Sequence, residues 1–475
     1  MSRRFDPSPT VERIRARLDH PIVDGDGHFV EFLPTVLDLM GDVAGPSVAA
    51  AYRERYLLDR PVSSRTRPGS RTFFAFPAEA LDRATAMLPA LLYERLDEIG
   101  IDFALLYPTM GLGTLAVPEA ELRRGAARAF NTYYTELFAG LRDRLEPVAI
   151  IPMFTPDEAI EELDFAVGTL GFKAITTSGV VQRQLPRTDG STVPWIDTIG
   201  HDSVYDYDPF WRRCVELGVA PGFHAVGKGW GTRTSRANYV YNHLGNFAAA
   251  QEATCRSLLM GGVFTRFPAL RCCFLEGGVA WAAQLLADLV GHFEKRNKDA
   301  LQRYNPAHLD LDEFEALFAE YGRGPLANGR HRGREGAFWN GSSPQEPGTT
   351  DDFEESGFTD VADIIEVFRR QLSFGCEADD PLNALAFDAR VNPPGARLNA
   401  VFASDIGHWD VPDVRGVLPE AWELVEDGLI DADQFREFAC DNLVRMATGV
   451  NPAFFRGTVV EDRVPEAVPG RSEGS

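Results

Sequence analysis

The chain has 475 residues, of which 44% are hydrophobic, 25% charged and 11% aromatic. That is the make-up of a globular protein with ample core material, and it excludes disordered, collagen-like and fibrous classes. Forty-seven basic against seventy acidic side chains give a net charge of −23, a mean field that repels phosphate backbones and anionic membranes. We therefore expect no nucleic-acid partner and no membrane. An acidic surface does not make the substrate cationic, because a metal ion or arginines can reverse the sign inside one cleft. No run of 18 apolar residues occurs, and the N-terminal MSRRFDPSPTVERIRARLDH has no apolar leader core, so the expected location is cytoplasmic. Six cysteines, with no CxxC pair among them, read as reduced and buried; the adjacent Cys272 and Cys273 read as strand packing.

In chain order, short apolar or β-branched runs suggest strands at 21–26 (PIVDGD), 101–107 (IDFALLY), 147–152 (PVAIIP), 171–177 (GFKAITT), 218–224 (GVAPGFH), 271–276 (RCCFLE), 372–377 (LSFGCE) and 399–404 (NAVFAS). Apolar spacing of three and four predicts helices between them at 87–99, 119–144, 156–169, 208–217 and 280–295. Eight strands alternating with helices predict an α/β fold, a (β/α)8 TIM barrel with long inserted loops and a C-terminal extension. The competing architecture is a doubly wound open sheet. No GxGxxG follows the first strand, which weakens a dinucleotide-binding reading. The whole chain, 1–475, is read as one elaborated domain.

Residues 298–370 hold a Gly/Arg-rich stretch (GRGPLANGRHRGREG) and then SSPQEPGTTDDFEESG. They read as an insertion, either a lid or a disordered segment. A second elaboration covers roughly 40–85, whose arginines either meet an acidic substrate or solvate a loop. The tail, about 457–475, is polar and rich in Pro and Gly, and is expected to be loosely held or wrapped on a neighbour.

A (β/α)8 barrel builds its active site where its strands end. The donors found there are Asp24, Asp26 and His28 after the first strand, His224 after the fifth, Glu276 after the sixth, Glu377 after the seventh, and Asp405 and His408 after the eighth. Side chains alternate along a strand, so Asp26 and His28, two apart, share a face and can chelate one ion. His224 and Asp405 would complete a mixed shell for a divalent metal, Zn²⁺ or Mn²⁺. His20, His201, His292, His308 and His331 are read as packing or surface residues. Glu276 follows CCFL and precedes GGVAW, so it needs a partner or a shifted pKa.

The segments VDGDGHFVE (23–31), LDEIGIDFALLYPTMGL (96–112), DPFWRRCVELGVAPGFHAVG (208–227), GGVFTRFPALRCCFLEGGVAW (261–281), FASDIGHWD (402–410) and CDNLVRMATG (440–449) carry a resemblance. In order and spacing the chain resembles the amidohydrolase-related branch of the metal-dependent amidohydrolase superfamily over most of its length. That branch includes aminocarboxymuconate-semialdehyde decarboxylase, the resorcylate-type decarboxylases and related hydrolases and hydratases. The resemblance puts the metal pair of the first strand on Asp26 and His28, the ligand of the fifth on His224 and the aspartate of the eighth on Asp405. Asp26 stands where relatives have His or Glu; against His it replaces a neutral donor by an anionic one, which lowers the net positive charge at the metal. Where several relatives carry a histidine after the sixth strand, this chain has Glu276. His243, in NYVYNHLGNF, is then the candidate proton shuttle, with Glu276 itself as the alternative.

The expected function is hydrolysis or non-oxidative decarboxylation of a small carboxylated, aromatic or ring-derived substrate. Asp405 would handle the proton, and His243 or Glu276 would polarise or protonate the substrate. Phe29, Trp281 and Trp409 are candidate pocket walls, against the alternative that they are core. The resemblance also implies a homodimer. The competing reading is a catalytically inactive barrel that serves as a binding or structural subunit.

Overall fold

All eight strand candidates form strands, and they join one parallel sheet. The computed structural model describes residues 4–58, 75–224, 235, 237–328, 336–337, 350–393 and 395–464. The strands are β1 (Val23–Phe29), β2 (Phe103–Pro108), β3 (Leu145–Ile151), β4 (Ala174–Thr177), β7 (Pro221–Phe223), β8 (Cys272–Phe274), β9 (Leu372–Glu377) and β10 (Ala400–Ala403); β5 (Val181–Pro186) and β6 (Thr192–Asp197) form a separate hairpin. Sheet order follows chain order from β1 to β10, as right-handed βα crossovers produce. The predicted helices appear as Pro89–Ile99, Ala120–Leu137, Pro156–Leu163, Asp208–Leu217 and Ala280–Arg296.

The two edge strands meet, which decides for a barrel over an open sheet. Asp405 N–H donates to Asp26 C=O at 3.0 Å. The buried Asp24 carboxylate accepts from Ser404 N–H at 3.1 Å and from Ser404 Oγ at 2.5 Å. Closure thus leans on a side chain beside the backbone bond.

Inside the barrel, Val23, Phe103, Leu105 and Val401 pack with Leu443 and Val444 of the helix Asn442–Val450 and with Phe455. The Phe103 and Phe455 rings meet edge-on at 5.4 Å. The C-terminal extension therefore plugs the end of the barrel opposite the strand C-termini. Gly25 is forced by this packing, since a Cβ there would lie 2.4 Å from Val401 Cγ1.

Asp102 ties both ends of the chain to the barrel. It pairs with Arg15 and with Arg463, each at 2.8 Å, and accepts from Ile22 N–H at 2.8 Å. Burial pushes its carboxyl up, but the two arginines and the Ile22 amide outweigh burial and hold it below 3.8. A depressed folded-state pKa supplies stability that is present above the ordinary value and lost as pH falls through the folded one. Asp102→Asn should cost roughly 1–3 kcal/mol at neutral pH. The gap to the native protein should close below pH 3.8, as read by urea unfolding across pH.

The six cysteines are buried and free. Within 298–370, the helix Leu311–Tyr321 buries none of its side chains. The final part of that segment belongs to the barrel wall: Phe353 packs on Phe293 at 5.1 Å, and the helix Val361–Arg370, boxed at its start by Asp360 and Asp363, buries Ile364, Val367 and Phe368. The core of the Gly/Arg-rich stretch, His331 included, lies outside the described residues, as do 59–74 and the tail from 465. Among the described residues no helix is long and apolar enough to cross a membrane.

Candidate metal centre

At the C-terminal end of the strands, five carboxylates and three imidazoles converge. β1 carries an irregularity between Asp24 and Gly27, which lets Gly25 and Asp26 both face inward while Asp24 turns out to clamp Ser404. His28 then falls on the inner side, two residues after Asp26, as alternation predicts. His224 follows β7, where Gln251 Nε2 donates to the carbonyls just before it and just before Glu276, Phe223 at 2.6 Å and Leu275 at 2.9 Å. Glu377 closes β9, and Asp405 follows β10.

His28 is the hub. Its Nε2 lies 3.6 Å from Asp26 Oδ1, 3.5 Å from Glu276 Oε1 and 3.6 Å from Asp405 Oδ1. The ring is fully buried, and this nitrogen has no hydrogen-bond partner. His224 Nε2 contacts Asp26 Oδ1 at 3.0 Å, and its Nδ1 faces Glu276 Oε2 at 3.5 Å. His408 Nδ1 lies 2.6 Å from Asp405 Oδ1, and its Nε2 lies 3.1 Å from Thr109 Oγ1. Oxygens of Glu377, Asp405 and Asp410 come within 4.8 Å of one another.

The electrostatics follow from this crowding. Burial, with the neighbouring His408 and His224 rings, pushes His28 well below 6.5 and keeps it neutral, the form that binds a metal. Burial also opposes the charged form of His224, but the Asp26 and Glu276 carboxylates win and raise it to about 10. Burial would raise Glu276 too; instead His224, His28 and His408 hold it down as a carboxylate. Asp405 is pushed up by burial and then by Asp410, Glu377 and Glu276. Glu377 is pushed up by burial and by Asp410.

Carboxyl groups buried around an unpartnered imidazole nitrogen cannot all ionise unless positive charge sits among them. The donor set fits a divalent cation: Asp26, His28 and His224 present ligand atoms within 4.8 Å of each other, and so do His28, Glu276, Asp405 and His408. Nitrogen and oxygen donors without thiolate match zinc or manganese.

The sequence model of the family described as Amidohydrolase matches residues 23–317, more than half of the chain. The chain belongs to the amidohydrolase family. This amidohydrolase is 30% identical over 162 residues to the gamma-resorcylate decarboxylase of Rhodococcus jostii (strain RHA1), a match covering 33% of the chain and 46% of that relative. The match thus spans less than half of the curated relative's length. The fold is similar to that of an amidohydrolase from Mycobacterium avium subsp. paratuberculosis, at 18% identity and a TM-score of 0.51, covering 90% of this chain and all of the other. The 5-carboxyvanillate decarboxylase of Sphingomonas paucimobilis aligns over 90% of this chain and 98% of its own, at 14% identity and a TM-score of 0.48.

The structure brings Asp26, His28, His224, Glu276 and Asp405 together. The remaining candidates stand elsewhere. Phe29, next after His28, turns to the outer face of β1 and packs on Tyr134 at 5.1 Å and Phe138 at 5.0 Å. Trp281 is core as well, edge-on to Phe274 and Phe374. Neither forms a pocket wall, because each fills the layer between strand and helix. Trp409 does stand at the mouth, partly exposed, with the His243 ring 5.4 Å and the Tyr239 ring 6.1 Å away. His243 thereby belongs to the aromatic rim, with Phe247 at its other side. His20, His201, His292 and His308 pair with backbone carbonyls or surface acids away from the centre.

Sequence reasoning counted His408 among the strand-end donors without assigning it a task, and passed over Asp410 and Thr109. The spacing Asp405, His408, Asp410 behind an apolar run carried part of the signal. Thr109, after β2, carried none. It is placed by Glu31, whose carboxylate accepts from Met110 N–H, Gly111 N–H and Tyr134 OH, each at 2.8 Å.

Proposed function

We propose that this amidohydrolase is a metal-dependent, non-oxidative decarboxylase of a small aromatic carboxylic acid. The observation that carries the reading is the buried ring of carboxyl oxygens around His28 Nε2. A carboxylate substrate would be repelled from so acidic a mouth unless a divalent cation compensated it. Asp26, His28, His224 and Asp405 would hold that ion, zinc or manganese. When bound it supplies Lewis-acid stabilisation and a fixed point for the substrate's oxygens.

The chain's own residues then have to move one proton. In decarboxylation the bond between ring carbon and carboxylate breaks, the electron pair stays on the ring carbon, carbon dioxide leaves, and a proton takes its place. Asp405 is placed for the task, with its Oδ1 3.6 Å from His28 Nε2 and 2.6 Å from His408 Nδ1. His408 lies between Asp405 and Thr109 and can return a proton to it from the Thr109 side. Trp409, Tyr239 and His243 form an aromatic rim against which a ring can lie. The similarity to gamma-resorcylate decarboxylase supports carbon–carbon cleavage over hydrolysis. The reading extends to a homodimer, supported by the sequence resemblance.

The test is turnover of a panel of hydroxybenzoates and of matched amides and lactones by the metal-loaded protein. Carbon dioxide release with one solvent deuteron placed on the ring is the expected result. Cleavage of amides or lactones with the ring carboxylate retained would make the protein a hydrolase. Inertness with metal bound would make it a binding barrel.

A further inference from the structure

The expectation from sequence gave Glu276 an acid/base role, and its position argues for a different one. Four non-glycine residues among those described have positive φ, and two of them are Glu276 at 56° and Asp405 at 46°. Each stands two residues beyond its strand, β8 ending at Phe274 and β10 at Ala403. Left-handed backbone at a non-glycine residue is strained and persists where the surroundings impose it. Here the turn does the same thing twice, swinging a carboxylate back over the barrel axis. Glu276 Oε1 and Asp405 Oδ1 end 3.5 and 3.6 Å from one nitrogen, His28 Nε2, which has no hydrogen-bond partner. The second Glu276 oxygen faces His224, the other imidazole of the centre, at 3.5 Å.

We propose that Glu276 is a direct ligand of the divalent cation, giving a shell of three carboxylates and two imidazoles that takes an ion of coordination number five or six such as Mn²⁺. The inference rests on the metal-dependent reading above. Asp405 and Glu276 reach the same nitrogen from opposite sides of β9 by the same backbone device, so a position that makes Asp405 a ligand does the same for Glu276. Five protein donors exceed the four of a tetrahedral zinc site and suit the higher coordination of an oxygen-rich one.

The test uses full-length protein and Mn²⁺ alone. The affinity is measured by competition with a coloured chelator, and the water-proton relaxivity per bound ion counts coordinated waters. Glu276→Gln should weaken Mn²⁺ binding by more than about 100-fold and raise the relaxivity, because a water fills the vacated position. Glu276→Asp, which keeps the carboxylate, should recover at least about tenfold of the affinity. Glu276→His should favour Zn²⁺ over Mn²⁺ more strongly than the native protein does. Affinity and relaxivity unchanged in Glu276→Gln, with turnover lost, would return Glu276 to proton transfer and overturn the proposal while leaving the metal-dependent reading intact. A native protein that binds no Mn²⁺ or Zn²⁺ would remove both.

Discussion

His224→Ala should yield a folded protein without stoichiometric divalent metal after dialysis and without measurable decarboxylation. His224 is fully buried between two carboxylates, Asp26 at 3.0 Å and Glu276 at 3.5 Å, so it acts on both halves of the donor ring. Removing it deletes a nitrogen ligand and leaves two buried anions facing an empty space. Losing one member of a buried charged group costs about 3–5 kcal/mol, so the metal-free variant should also unfold at lower denaturant than the metal-free native protein. Circular dichroism checks folding, and elemental analysis reads the metal. One tightly held equivalent surviving in the variant would mean that the ion sits elsewhere.

Asp405→Asn should retain its shape at the end of β10 and lose the proton. Its backbone N–H to Asp26 C=O closes the barrel and is untouched by the substitution. The amide can still face His408 at the position now 2.6 Å away, but it cannot deliver a proton to carbon. General-acid contributions are typically about 10²–10⁴ in rate, and a fall of kcat of that size is expected. Because Asp405 is also a proposed ligand, the decisive comparison is at saturating Mn²⁺. Metal occupancy restored with kcat still low assigns the proton role, whereas kcat recovering with occupancy would leave Asp405 a ligand only. A polar side chain with positive φ at the end of a buried strand is the kind of strained position that active sites keep.

Both substitutions act on residues that could be picked from the sequence, and the reason lies in the strands. A barrel strand buried on both faces is a short continuous apolar run, and its end is marked by the first polar residue. Hence GVAPGFH and RCCFLE gave strand position and candidate ligand together, while for PIVDGD and NAVFAS the ligand lies one or two residues past the first polar side chain after the run. Period-two alternation then put Asp26 and His28 on one face, and the bulge in β1 preserved that relation. Five helices were equally legible from their apolar spacing, since each packs a single stripe on the sheet.

Residues whose direction depends on neighbours were not legible. Phe29 and His28 are adjacent, and one enters the centre while the other enters the core, because only the assembled sheet has an inside. Trp281 begins a helix and fills the layer beneath it. Composition alone set off 298–370 as inserted, yet Val361–Arg370 is a wall helix, recognisable once Ile364 and Phe368 have a sheet to cover.

The sequence by itself determined the eight-strand alternation, the strand ends and the type of donor at each end, because local apolar pattern and burial are encoded residue by residue. The tertiary structure alone decided that His28 is the common neighbour of three carboxylates, that Glu276 reaches it as Asp405 does, and that His408 joins Asp405 to Thr109 across 299 residues. Those relations arise from closing the barrel, which brings the end of every strand to one mouth whatever their separation along the chain.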